Sequence, residues 1–258
     1  MATILFENAD HRCIAFNDLV KGDDGVQANQ FLIVDNGKAA LLDPGGDLLY
    51  TPLWLAITQY VKMQDVQWIM ASHQDPDIIG AADRWLANTP GRIVCSRLWG
   101  RFVPHNVSHL QQDKLGEDRY MLLPDSGGEV TLGRSRVLAL PAHFLHSVGN
   151  FSFYDPVSRI LFSGDVGSSM ISSGEAYQAI EDFSSILPKM EGFHRRYMGS
   201  RRVAMLWSDM VRRIDPVLIV PQHGLPLRGK AIGDFLDWLA RLECGIDLMG
   251  PEHYRLPY

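Results

Sequence analysis

The sequence predicts an α/β (α+β) chain in which two β-sheets pack face to face and helices cover their outer sides, an αββα sandwich. Three observations predict it. Short apolar runs bounded by turn residues form two successive sets, and helical periodicity follows each set. Strand-like runs in both halves end in His or Asp, which brings polar side chains to one rim. The chain has 258 residues, 46% of them apolar, enough for a sizeable core in one domain spanning 1–258.

The first strand set reads over residues 4–6, 14–16, 31–34 and 39–42. Lys21-Gly22-Asp23-Asp24-Gly25 and Asp35-Asn36-Gly37 punctuate it. The second of these is a hairpin signal, because Asn-Gly readily takes positive φ. Residues 48–61 carry helical spacing through Leu49, Leu53, Ala56 and Tyr60. A buried strand follows over 66–71, then a short helix over about 80–88. The second set reads over 137–140, 151–154, 160–162 and 218–220. A long helical region covers about 174–213, broken near Pro188. The last helix covers 232–248, with Phe235, Leu236, Leu239, Leu242 and Ile246 on one core-facing stripe. Residues 96–116 fit no element and read as a loop covering the site.

Composition excludes several classes. A net charge of −6 leaves no basic footprint for nucleic acid. No apolar run reaches the length of a membrane span. The N-terminal residues lack the basic and apolar regions of a secretory signal. Cys13, Cys95 and Cys244 are far apart, odd in number and outside any C-x-x-C, so the expected compartment is the reducing cytoplasm.

The most informative stretch is Ser72-His73-Gln74-Asp75-Pro76-Asp77, directly after the strand over 66–71. It places three potential metal ligands on the loop leaving that strand. His146, Asp165 and His223 each follow another strand of the second set. Three imidazoles and three carboxylates, with no thiolate nearby, suit iron or manganese over zinc. Three carboxylates also carry enough charge to hold two divalent ions close together. Pro76 stiffens the backbone between the two aspartates of the motif.

Plainer readings stand beside these. Asp75 and Asp77 also fit as caps of the helix near Gly80. Asp165 and His223 also fit as turn residues beside Gly164 and Gly224. His143 competes with His146 from three residues away and otherwise reads as a support behind the ligands. His194 and Tyr197 lie about one helical turn apart and read either as pocket lining or as helix packing. His105 and His109 have the i,i+4 spacing of a helical metal pair, but Pro104 and the missing helical pattern speak against it.

The chain resembles the metallo-β-lactamase fold, specifically its flavodiiron branch, which carries H-x-E-x-D-H and then single His, Asp and His ligands. His73, Asp75 and Asp77 match the first half, with Asp75 in the Glu position. The separation of His146 from Asp165 is that of the branch, and the gap from Asp165 to His223 is close to it. Leu42-Asp43-Pro44-Gly45-Gly46, Phe144-Leu145-His146-Ser147-Val148-Gly149-Asn150 and Phe162-Ser163-Gly164-Asp165-Val166-Gly167 are similar as well. The Ser-His-Gln-Asp-Pro-Asp form and Phe193-His194-Arg195-Arg196-Tyr197-Met198 are most like the short oxygen-binding diiron members without a flavodoxin domain. The resemblance runs over nearly the whole chain. It implies that His73, Asp75 and His146 hold one iron, that Asp77 and His223 hold the other, and that Asp165 bridges them. Ile78 departs from the branch, which usually has a ligand His there, and leaves the second iron one imidazole short.

The resemblance further implies reversible binding or sensing of dioxygen, with slow reduction of O₂ or NO as an accompanying activity. No FMN is expected, since no room remains for a flavodoxin domain. Electrons would come from an external donor, and sensing would need a signalling protein; a homodimer is the expected assembly. The alternative is a metallo-hydrolase that activates water on a dinuclear centre. Asp75 in place of His, and Ile78, count against a dinuclear zinc hydrolase.

Overall fold

A computed structural model describes residues 1–20, 25–107 and 117–257. The first sheet has seven strands in sequence order: β1 Ala2–Glu7, β2 His11–Phe16, β3 Gln30–Asp35, β4 Lys38–Leu42, β5 Val66–Met70, β6 Arg92–Ser96 and β7 Tyr120–Leu123. β1 to β4 pair antiparallel, and β4 to β7 pair parallel. The second sheet is β8 Gly128–Leu132, β9 Ser135–Pro141, β10 Phe151–Asp155, β11 Ile160–Gly164, β12 Leu218–Pro221 and β13 Leu227–Arg228, again in sequence order across the sheet. All its pairings are antiparallel except β11 with β12.

Strand periodicity explains the layers. In β2, Cys13 and Ala15 face the second sheet, while Ile14 and Phe16 face outward onto helices. Inward residues of both sheets form one core, in which Phe31 meets Phe162 at 5.0 Å between ring centres. The outer face of the first sheet packs on α1 Asp47–Ile57, α2 Pro76–Ile79 and α3 Ala82–Asn88. The outer face of the second packs on α4 Leu187–Tyr197, α5 Arg201–Ile214 and α6 Lys230–Leu239. This is the αββα sandwich expected from the sequence. Among the described residues, no helix is long and apolar enough to cross a membrane.

The elements differ from expectation in instructive places. Asn36 and Gly37 do turn β3 into β4, with φ of 47° and 75°. The other expected turn lies largely outside the described residues, as does His109. Strands β6, β7, β8 and β13 were not expected; β7 and β8 close the sheets as edges, and β13 is two residues long. The helical region over 174–213 does not start until Leu187. Pro188 lies in the first turn of α4, where its missing N–H has no carbonyl to serve, so it begins a helix instead of breaking one. The break falls at residues 198–200. The last helix ends at Leu239. Gly245 takes φ of 54° and turns the chain, so Ile246 is 74% exposed and leaves the core stripe.

At one edge of the sandwich, a buried polar clamp joins the sheets. His11 lies 2.9 Å from Asp35 through Nδ1 and 2.8 Å from Asp155 through Nε2. Asp155 also accepts from the Ser158 hydroxyl and, at 3.1 Å, from the Ser158 N–H. The opposite edge carries the C-terminal ends of β5, β9, β11 and β12, where the candidate ligands lie.

Candidate metal centre

Four loops bring the six sequence-predicted donors together. β5 leads into Ser72-His73-Gln74-Asp75, β9 into His146, β11 into Asp165 and β12 into His223. Backbone bonds stitch this edge: the Phe151 N–H donates to the Ser72 carbonyl at 2.9 Å, and the Gln222 N–H to the Gly164 carbonyl at 2.8 Å. Asp75 is the N-cap residue of α2 by backbone, yet its side chain makes no capping bond. Its Oδ2 lies 3.6 Å from His73 Nε2 and 3.5 Å from His146 Nε2. One donor atom each from His73, Asp75 and His146 falls within a mutual 4.8 Å.

Asp165 faces both ways. Its Oδ2 lies 3.0 Å from His146 Nε2 and 3.7 Å from His73 Nε2. Its Oδ1 lies 3.8 Å from His223 Nε2, which is itself 3.2 Å from Asp77 Oδ2. That geometry suits a carboxylate shared between two cations. Separations of about 3–4 Å are those of donors set about 2 Å from a common ion. The donor set fits a metal pair on other grounds too. His223 donates its Nδ1 proton to the Gln27 carbonyl at 2.7 Å, which leaves the Nε2 lone pair facing the site. His73 Nδ1 lies 2.9 Å from the Ser72 hydroxyl. Behind it, buried Asp43 accepts from the Ser72 N–H at 2.7 Å.

Electrostatics agree. Burial would raise Asp165, but the bond from His146 and the nearby His73 and His223 hold it down at about 2. Burial opposes charge on His223, but Asp77 and Asp165 outweigh it and push it up to about 9. Burial likewise opposes charge on His73, and Asp75 with Asp165 raises it. The carboxylates thus concentrate negative charge that protons neutralise, and divalent ions would displace those protons on binding.

The remaining residues separate clearly. His143 donates through Nε2 to the Asp125 carbonyl, 2.7 Å away, and contributes no atom to the donor set. His194 does not line the pocket. It is fully buried, its Nε2 accepts from the Gly167 N–H at 3.0 Å, and its Nδ1 donates to the Met190 carbonyl at 2.9 Å. Burial lowers it to about 4, so it is a neutral strut between the Asp165 loop and α4. Tyr197 does line the pocket, stacked on Phe193 at 4.9 Å and edge-on to His146 at 6.0 Å. Ile78 is fully buried among the helices outside the first sheet, and its side chain belongs to that core. Residues 96–107, the described start of the expected covering loop, line none of the cavity.

The cavity over the donors measures about 540 Å³. Phe193, Arg196 and Tyr197 wall it from α4; Ser168, Ser169 and Met170 from the loop after Asp165. Sequence reading missed Ser168, Ser169, Phe193 and Arg196. The family-like stretch Phe193–Met198 and the i,i+4 spacing of Phe193 and Tyr197 were the available signals.

Residues 26–224 match the model of a family described as ODP family beta lactamase. The chain belongs to that family. The ODP chemotaxis sensor is similar over nearly all of both chains. A solved structure described as its peroxy diiron species is 38% identical, covers 98% of this chain and 99% of that one, and superposes with a TM-score of 0.85. Its apo state from T. denticola is 37% identical, covers 99% of both chains and has a TM-score of 0.85. The rubredoxin oxygen:oxidoreductase of Desulfovibrio gigas shares the fold at 16% identity and a TM-score of 0.75, over 93% of this chain and 61% of that one. An uncharacterized protein of Methanocaldococcus jannaschii is 24% identical over 204 residues, 78% of this chain. The chain spans about half the length of that curated relative. The metallo-β-lactamase-like, flavodiiron-related fold read from the motifs is therefore the fold of this ODP-family chain.

Proposed function

We propose that this protein is a non-haem di-iron protein that binds dioxygen and serves as a sensor of it. The observation that carries the reading is Asp165, whose two oxygens face separate donor groups, in a family whose sensor member has been captured as a peroxy diiron species. His73, Asp75 and His146 would hold one iron, Asp77 and His223 the other, with Asp165 between them. When bound, ferrous iron supplies the electron density that dioxygen needs. The chain's own residues do the rest. Three carboxylates offset the charge of two cations, and the backbone carbonyl of Gln27 sets the tautomer of His223. The Phe193–Tyr197 stack forms the wall of the cavity beside His146.

We take residues 1–258 as one domain acting in the cytoplasm, as a homodimer, with a signalling protein as partner. NO is a second diatomic suited to the same site, and turnover as an oxidoreductase would need an external electron donor. The reading is tested by loading the protein with iron anaerobically. Iron and zinc are counted, and optical spectra are recorded before and after air. Two irons per chain and a new visible band, reversed on degassing, are expected. Zinc held to the exclusion of iron, or no spectral response in fully loaded protein, would overturn the proposal and favour the hydrolase.

A further inference from the structure

Ser168 and Ser169 follow Asp165-Val166-Gly167 and line the cavity over the donors. Each is only 3% exposed, and neither hydroxyl has a hydrogen-bond partner among the described residues. Buried hydroxyls are almost always bonded, so two adjacent ones without partners need a reason. Relaxed packing is not that reason, because the backbone around them is pinned. The Ser168 N–H donates to the Asp165 carbonyl at 3.0 Å, and the Ser169 N–H to the His223 carbonyl at 3.1 Å. The Met170 N–H donates to the Lys189 carbonyl at 3.0 Å, and the Gly167 N–H to His194 at 3.0 Å. Space is also reserved: a Cβ on Gly224 would lie 2.0 Å from the Ser169 hydroxyl oxygen. Gly224, at φ of 98°, therefore admits that hydroxyl beside His223.

We infer that the Ser168 and Ser169 hydroxyls donate hydrogen bonds to the small ligand taken by the centre. The ligand class is a small anion, or a diatomic that has drawn electron density from iron. Fixed donors shielded from water act more strongly on developing negative charge than donors in bulk water. Arg196 and Tyr197, the other donors lining the cavity, are exposed at its mouth. The two serines are thus the buried donors, and they govern how long an electron-rich ligand stays. This deepens the dioxygen-binding proposal and rests on it.

The test uses Ser168→Ala, Ser169→Ala and the double variant, each metal-free, zinc-loaded and iron-loaded. Melting of the metal-free variants should match or exceed wild type, because neither hydroxyl bonds to another group among the described residues. Azide affinity of the zinc-loaded protein should fall about tenfold per hydroxyl removed, at equal zinc content. Release of dioxygen from iron-loaded protein should quicken to a similar degree. Unchanged azide affinity in the double variant would overturn the inference. So would lost metal with unchanged affinity per bound metal, which would show that the hydroxyls serve Asp165. If the double variant does not fold, the single variants are read in the same way. If wild-type iron protein ignores air, the dioxygen reading fails while the azide arm still decides the role of the serines.

Discussion

Replacing Asp155 by Asn should unlock the clamp between the two sheets. Asp155 and the His11 side chain are 0% and 2% exposed, and 2.8 Å separates their facing atoms. Asp35 holds the other ring nitrogen at 2.9 Å. An Asn keeps the volume but removes the charge, and its NH₂ cannot accept from His11 or Ser158. Removing one partner of a buried pair costs about 3–5 kcal/mol. With a urea slope of about 2–3 kcal/mol/M, the midpoint should drop by about 1–2.5 M. The gap should depend on pH. Burial opposes charge on His11, but its bonds to Asp155 and Asp35 win and raise it above 6.5. Its contribution is complete below 6.5 and is lost as pH rises through the raised native value. Burial would raise Asp155 and Asp35, but the His11 bond lowers each below 3.8. Their contributions are complete above 3.8 and vanish as pH falls through the lowered values. The gap between wild type and variant should therefore be widest at about pH 4–6.5 and narrow as pH rises through the raised native value of His11. Urea titrations of metal-free protein at several pH values measure it, and removing metal keeps ligand binding out of the comparison. A gap below about 1 kcal/mol at pH 6, or one that widens with pH, would refute the clamp.

Two further substitutions probe the centre. Asp165→Ala should drive iron per chain toward zero, because its carboxylate faces both donor groups, whereas Asp77→Ala should about halve it; equal losses by elemental analysis would speak against a shared carboxylate. Ile78→His places an imidazole in a fully buried apolar position. It should lower metal-free stability by about 2–4 kcal/mol without tightening the second ion, and a chelator titration showing firmer retention would contradict this.

The donor loops were legible because each is a local event. A strand ends, and a His or Asp stands at its end. Alternation in Cys13-Ile14-Ala15-Phe16 likewise shows two buried faces, and Asn36-Gly37 shows the hairpin. Family motifs then suggested the roles proposed for them, which spacing alone leaves open. Strands β7 and β8 lie partly exposed at the sheet edges, and they are strands because neighbours pair with them. Pro188 reads as a breaker until its place in the first turn of α4 is known.

By itself, then, the sequence determined the sandwich, the rim of six candidate donors and their mixture of imidazole and carboxylate. Tertiary structure alone decided which atoms face each other across the two sheets. It split the oxygens of Asp165 between two donor groups, turned His194 into a neutral strut, sent Ile78 into the core and left the Ser168 and Ser169 hydroxyls without a partner among the described residues. It also joined His11 to Asp155, far apart in the chain. The reason is physical. Periodicity along a chain reports whether a side chain is buried, whereas charge, tautomer and hydrogen bonding depend on which distant segment is buried against it.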